Sequence, residues 1–431
     1  MICDNLTVSE NGHLIFAGAD TLELAEKYGT PAYIIDENKI REKCRIYKNA
    51  LSECFGENSF PLFASKSLCF KQLYRIISEE NLGIDVVSAG EIYVAWSSGF
   101  PMEKAYFHGN NKTDEEIAFA MEKGVGCFIC DNTDELFAIE REAEKRNITQ
   151  KILLRLTPGI DPHTHKKIST GSVDSKFGSA IATSQALKIT KEALSLSHIE
   201  LKGFHCHIGS QIFDVQPFTD AAKIMIEFIA AAKKETGFEA KTLNLGGGMG
   251  VRYVESDPVI DYGANIRNIA QVVKNECEAH GVKVPDILME PGRSIVADSG
   301  LTLYTVGSRK EIPGVRNYIS IDGGMTDNPR YTLYGSAYTV LNAGKMNEKA
   351  DYECTVAGKC CESGDLIQEN VKTASPERGD ILAVCTTGAY NYTMSSNYNS
   401  IAKPPIVMIK DGESYVAVRR ETFEDMIKNN I

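Results

Sequence analysis

No Lys/Arg block longer than a pair occurs in this chain of 431 residues, although 46 of them are Lys or Arg. Asp and Glu number 58, and the formal charge is -12, whereas nucleic acids and anionic membranes need clustered positive surface. Neither partner is expected. No window approaches the roughly 18 uninterrupted apolar residues of a membrane span. The opening MICDNLTVSENGHLIF lacks a basic segment followed by an apolar core, so a cytoplasmic location is expected. A phosphate loop of the form G-x-x-x-x-G-K followed by Ser or Thr is missing, which argues against a nucleoside triphosphate. Internal repeats and low-complexity tracts are absent. A disulfide framework is not expected either, because a large core in a reducing compartment has no need of one, and the 12 cysteines read mostly as small buried hydrophobes. Cys127 and Cys130 form a C-x-x-C inside GCFIC, where strand alternation buries one thiol and no second ligand pair for zinc lies nearby.

What is present is an ordinary globular composition, 43% apolar and 24% charged, in a chain longer than one core usually needs. Eight strand-like runs recur: PLFAS, IDVVS, AYFHG, GCFIC, KILLRL, KGFHCHI, TLNLG and DILMEP. Helix-like stretches separate them: 71–80, 91–98, 113–123, 133–146, 184–197, 218–234 and 264–280, several opened by Ser, Thr or Asp cap candidates. Alternating strand and helix implies parallel strands, and eight such units close into a (β/α)8 barrel; an open doubly wound sheet shares the alternation. Beyond about residue 295 the texture changes to LTLYTV, NYISI, YECTVAG, DILAVC and PPIVMI, separated by turn residues, which reads as a mostly antiparallel β-domain. NGHLIFAG and PAYIID near the start resemble a hairpin and a strand of that same domain. The expected division is a barrel over 36–292 and a β-domain from 1–35 plus 293–431.

Chemistry in such barrels sits at the C-terminal strand ends. Those ends carry Lys66 after the first run, Asp85 and Ser88 on the second, Asn110 after the third, and Arg155 on the fifth. His205 and His207 lie on the sixth, Gly246, Gly247 and Gly248 follow the seventh, and Glu290 with Arg293 follow the eighth. The glycines allow backbone N–H groups to approach an anion, and with Arg293 they suggest a phosphate site; a tight turn is the plain alternative. His205 and His207, two apart on a strand, face the same way. A hydrogen-bonded structural histidine accounts for His205 equally well, and a metal site completed by Asp85 and Glu290 would make the protein a metal-dependent hydrolase. Lys66, at the end of an apolar run, is either a solvated surface lysine or a desolvated nucleophile.

The segments FASKS, IDVVSAGE, DSKFG, GFHCHIGSQ, LNLGGG, MEPGRSIVA, DGGMTDNPRYTLYG, CCESGD and GAYNYTMSSNYN, in this order over nearly the whole chain, resemble the fold-type III pyridoxal-phosphate decarboxylases, and among them the diaminopimelate decarboxylases. HIGSQ, EPGR and CESGD together are the specific part. The resemblance implies that Lys66 carries pyridoxal 5'-phosphate covalently, that His207 stacks on its ring, and that Ser210, Gly246, Gly247, Gly248, Arg293 and Tyr390 surround its phosphate. Glu290 would pair with the ring nitrogen, favouring a protonated ring that withdraws electrons strongly. Asp85, Glu91 and Arg155 would orient the cofactor and the histidine. For substrate, Arg330 and Tyr334 would bind the distal carboxylate of meso-2,6-diaminopimelate, Glu362 its ammonium, and Arg293 and Tyr390 would also contribute. Cys361 would return a proton to the product; its plain alternative is one more buried cysteine. In the family Cys361 and Glu362 enter from a second subunit, which implies a homodimer with shared active sites.

The stretch DPHTHKKISTG is expected to form a loop over the site, and it departs from the family's commoner pattern at Lys166 and Lys167. Leu68, Lys359 with Cys360, and Asn391 also depart from it without removing a chemical group. The competing readings are a decarboxylase of another basic amino acid, such as ornithine, lysine or carboxynorspermidine, a silent regulatory homologue, and the metal-dependent hydrolase. Arg330 separates the first of these, since a substrate with only a distal ammonium has no use for it.

Overall fold

The runs LFA, GIDV and CFIC are buried along their whole length, as strands covered on both faces must be. In the computed structural model, which describes residues 1–160 and 175–431, they belong to a parallel sheet of eight successive strands. These are β1 (Leu62–Ala64), β2 (Gly83–Val86), β3 (Ala105–Phe107), β4 (Cys127–Cys130), β5 (Gln150–Thr157), β6 (Ile199–His205), β7 (Thr242–Asn244) and β8 (Asp286–Leu288). The sheet closes on itself: Leu62 N donates to Met289 O at 2.7 Å and Ala64 N to Pro291 O at 3.1 Å, beside a parallel bridge between Pro61 and Met289. All eight expected strands are present, and closure settles the choice between barrel and open sheet.

Each crossover carries one of the expected helices: Lys71–Glu79, Ala89–Ser97, Asp114–Glu122, Thr133–Arg146, Gln185–Leu194, Gln216–Thr236 and Tyr262–His280. Their ends follow from local chemistry. Ser88, Thr113, Asn132 and Asp261 each accept a backbone N–H in the first turn, and Asn147, Gly237 and Gly281 turn left-handed at the other end. Ser88 is thus a helix cap and not a strand residue, because its hydroxyl accepts from Glu91 N at 3.2 Å. Inside the barrel, Cys127, Ile129 and Leu153 pack with Tyr106. Both cysteines of the C-x-x-C are buried and free, which leaves that pair as packing.

The barrel unit comprises Lys43–Gly250 and Ile260–Gly292, and the second unit Met1–Glu42, Val251–Val259 and Arg293–Ile431. Residues 36–42 and 251–259 therefore group with the second unit. That unit is built on a mixed sheet in the order Leu366–Thr373, Tyr352–Ala357, Arg316–Ile321, Gly300–Ile312, Ala32–Asp36, Ile406–Lys410, Glu413–Val418, with Ile381–Cys385 also pairing to Gly300–Ile312. Its pairings are antiparallel except Ala32–Asp36 with Ile406–Lys410 and Arg316–Ile321 with Tyr352–Ala357. The early segment PAYIID sits in mid-sheet as expected, and Leu6–Val8 pairs with Leu14–Phe16 in a small separate sheet. The core of this unit gathers Leu14, Phe16, Ile34, Leu301, Leu303 and Val407. Among the described residues no helix is long and apolar enough to cross a membrane. The stretch DPHTHKKISTG, with Lys166 and Lys167, lies outside the described residues.

Candidate active site

Register brings the polar strand ends of the barrel together. His205, the last residue of β6, is the partner of Arg155 on β5 and of Asn244 on β7. Glu290, two residues past β8, is buried with Asn244 Nδ2 donating at 2.7 Å, His205 Nε2 in a hydrogen bond at 3.2 Å and His108 Nε2 lying 2.9 Å away. The two imidazoles meet edge to face with centroids 4.9 Å apart. Asp85 lies 3.8 Å from His108. Burial alone would raise the Glu290 carboxyl, but His108 and His205 reverse that and hold it well below the usual range. Asp85 is raised by burial, with His108 opposing and Glu290 adding. Burial also drives His205 down to about 4 and His207 well below its ordinary value, the latter aided by Lys66 and Arg155. The rim thus holds one firm anion beside neutral imidazoles.

The glycines after β7 are required by backbone crowding. A Cβ on Gly247 would lie 2.0 Å from the carbonyl oxygen of Glu290, and one on Gly248 2.3 Å from that of Gly209. Gly246 N donates to Asn244 Oδ1 at 2.9 Å and Gly247 N to His207 Nδ1 at 3.2 Å. Two of the N–H groups expected to face an anion are therefore engaged within the protein; they fix Asn244 and His207 instead. His207 lies beyond β6, not on it, because the strand ends at His205. Ser210 is half-buried in the turn that follows.

Lys66 occupies a one-turn helix, Ser65–Ser67, whose serines are buried while the lysine is exposed. This corrects the expectation of a desolvated amine: Lys66 is exposed on the turn after β1. Its charge still acts on Asp85, Glu91 and His207. Glu91 accepts from Val87 N at 2.8 Å, and burial pushes its carboxyl up to about 7. Arg155 is buried with its guanidinium 4.4 Å from the Phe177 ring centre. Burial lowers its pKa, opposed by Asp131, Glu290 and Asp85.

In the second unit the remaining residues form two groups. Arg293, buried at the start of Arg293–Val296, donates to Tyr253 Oη at 2.7 Å and stands 4.7 Å from the Tyr390 ring centre. Arg330, buried at the start of Arg330–Tyr334, stands 5.2 Å from the same ring and 5.1 Å from Tyr334. Two guanidiniums thus lie against one aromatic ring, and Tyr390 holds it with a φ of 61°, a conformation that non-glycine residues seldom adopt. Among the described residues Arg330 has no carboxylate partner, and its Nε is buried without a hydrogen bond. Cys361 and Glu362 lie on an exposed turn, Cys361 being the one exposed cysteine of the twelve. Asp365 holds that turn by accepting from Met325 N at 2.6 Å and Cys360 N at 2.7 Å. Thr332, between Arg330 and Tyr334, donates to Gly364 O at 2.8 Å and ties the two groups together.

His108, Asn244 and Asp131 escaped the sequence reading, as did Tyr253 and Tyr338 beside Arg293. The first three are polar residues at the C-terminal ends of β3, β7 and β4, the same signal that singled out Asp85 and Glu290. Asn110, which was singled out, accepts on its carbonyl from Asn132 Nδ2 at 3.4 Å.

A closed eight-stranded barrel whose rim presents an anionic carboxylate, a lysine and buried imidazoles defines a cofactor-dependent class. Residues 37–297 match the family model described as "Pyridoxal-dependent decarboxylase, pyridoxal binding domain". The chain is 45% identical to a diaminopimelate decarboxylase of Bacillus methanolicus, covering 96% of each, and 43% identical to that of Bacillus subtilis (strain 168), covering 97% of this chain and 95% of the relative. A crystal structure of diaminopimelate decarboxylase from M. jannaschii in co-complex with L-lysine superposes with a TM-score of 0.92 at 33% identity, over 100% of this chain and 98% of that one. The chain belongs to the diaminopimelate decarboxylase family of pyridoxal-dependent decarboxylases.

The rim fits pyridoxal phosphate on its own chemistry. Asp85 Oδ1 and His205 Nδ1 are buried without a hydrogen-bond partner, and Glu290 is held as the carboxylate that a protonated pyridine nitrogen needs. His108, His205 and Glu290 also offer three donor atoms within 4.8 Å of one another, a set with the chemistry of a metal site. Membership of the decarboxylase family sets the hydrolase reading aside.

Proposed function

We propose that this protein decarboxylates meso-2,6-diaminopimelate to L-lysine and CO2 with pyridoxal 5'-phosphate, the last step in making lysine, and does so in the cytoplasm as a homodimer. The observation that carries the substrate is Arg330, a buried guanidinium with no carboxylate partner among the described residues. Leaving such a cation unmatched is costly, and a ligand carboxylate supplies the match. Ornithine and lysine lack a distal carboxylate, so this residue favours diaminopimelate over them.

Bound pyridoxal phosphate supplies the electron sink for the charge left on carbon when CO2 departs. Lys66 would hold it covalently, His207 would lie against its ring, and Asp85 and Arg155 would orient it. Ser210, Gly246, Gly247, Gly248, Arg293 and Tyr390 would surround the phosphate. Glu290, kept anionic by His108 and His205, would hold a proton at the ring nitrogen. Arg330 and Tyr334 would take the distal carboxylate, with Arg293 and Tyr390 beside them, and Glu362 would take the distal ammonium. Cys361 would deliver the proton that replaces CO2. The exposure of Cys361 and Glu362 in a single chain supports their use by a second copy.

The test is CO2 release from meso-diaminopimelate, L-lysine and L-ornithine by wild type and Arg330→Met. Wild type should act on diaminopimelate alone. The variant should lose about 100-fold in kcat/KM, in line with removal of a charged pairing of ~3 kcal/mol. Equal activity of wild type on ornithine would discard the substrate while keeping the chemistry.

A further inference from the structure

At the end of the barrel opposite the Glu290 rim lies a cavity of about 450 Å3. Its walls come from the N-terminal ends of strands: Tyr106 on β3, Thr242 opening β7 and Asp286 opening β8. Lys48, Lys104 and Glu57 complete the polar lining. Asp286 precedes Glu290 by four residues, and a strand rises about 3.3 Å per residue, so the two sites stand roughly 13 Å apart along the barrel. The volume is within the usual range for small-molecule sites, about 300–1,000 Å3.

Two features indicate what the cavity would take. Among the described residues, neither Lys48 nor Lys104 pairs with Glu57 or Asp286, although all four line the same space, and Lys104 donates only to the Asn81 side chain. A guest of one charge sign would face two like charges there, whereas a guest with both signs satisfies each. The second feature is Tyr106. Its ring packs on Cys127, Ile129 and Leu153 inside the barrel, and the half-buried residue also lines the cavity. Burial raises that phenol, with Cys127 and Asp286 adding, so it remains a donor at every ordinary pH. A donor lining a two-signed cavity favours a guest that brings an acceptor.

We propose that this cavity binds a small zwitterionic α-amino acid. Lys48, Lys104 and the Tyr106 hydroxyl take its carboxylate, and Asp286 takes its ammonium. The site is separate from the decarboxylation chemistry and does not depend on which substrate that chemistry uses.

The experiment is a ligand-observed NMR titration of the holoenzyme with L-alanine, and with propionate and ethylammonium as single-charge controls. It is repeated on Asp286→Asn, Lys104→Met and Tyr106→Phe. Alanine should bind at least about ten-fold more tightly than either control, and the Asp286 and Lys104 variants should each weaken it by about ten-fold. CO2 release should stay within about two-fold of wild type in all three, since none is at the Glu290 rim. The proposal is overturned if alanine does not bind at about 20 mM, if a single-charge control binds equally well, or if the alanine signal survives unchanged in the variants.

Discussion

His205 and Glu290 lie 3.2 Å apart, almost wholly shut off from solvent, and burial acts on them with opposite results. The imidazole is pushed down to about 4 and is neutral at pH 7, while the carboxyl, against the pull of burial, stays ionised because two histidines and Asn244 surround it. An unfolded histidine titrates near 6.5. Between about 6.5 and 4 the unfolded chain therefore binds a proton that folded His205 refuses, so stability is lost as pH falls through that window, by up to ~3 kcal/mol. Glu91, held up to about 7, tilts the curve the other way: folded Glu91 keeps a proton that the unfolded chain has lost above about 4.3. The measurement is consequently a difference. Urea denaturation of wild type and His205→Asn at pH 7 and pH 5 should show the variant's deficit shrinking by about 1 kcal/mol or more at the lower pH. A deficit that is the same at both would mean that His205 is not held neutral.

At the scale of elements, the turn after β7 decides where Glu290 points. Glu290 N donates to Gly246 O at 2.8 Å, and the Glu290 carbonyl occupies the space that a Cβ on Gly247 would need. Gly247→Ala should cost about 1–3 kcal/mol by overpacking and also weaken retention of pyridoxal phosphate, because the carboxylate must shift with its backbone. Thermal melts and cofactor absorbance after dialysis would read both; unchanged melts and full cofactor would show that the turn yields freely. The strands and crossovers were legible because parallel strands buried on both faces read as apolar runs, and each helix opens on a cap such as Thr113 or Asp261. The rim was legible beyond its runs, as at Lys66, and also inside them, as at Asp85, Arg155, His205 and Glu290. His108 and Asn244, equally inside AYFHG and TLNLG, were passed over although they carry the same signal. The exposure of Lys66 was not legible, because it depends on the one-turn helix Ser65–Ser67 that follows β1. Nor could spacing show that the Gly246 and Gly247 N–H groups are spent on Asn244 and His207, since that depends on the register of β6 against β7.

At the scale of the whole molecule, the groups proposed to finish the reaction are those a single chain leaves open. Cys361 and Glu362 are exposed on a turn that is nonetheless held firmly, by Asp365 beneath it and by Asn399, whose Oδ1 accepts from Cys361 N at 2.7 Å. A turn that is anchored but uncovered presents its side chains in fixed positions to a second copy, and two-fold symmetry would make the exchange reciprocal. Active-site sharing then predicts complementation between two inactive variants. Lys66→Ala lacks the cofactor-holding amine and Cys361→Ala the proton donor, so neither homodimer should release CO2 at a useful rate. Mixing them under exchange should yield about half heterodimers, each with one intact site, and hence about 25% of wild-type activity. If each site were built from one chain alone, every site would carry one of the two lesions and the mixture would stay inactive. The same mixture run on a sizing column with light scattering ties the recovered activity to the dimer, and activity recovered without exchange of subunits would refute the sharing of Cys361.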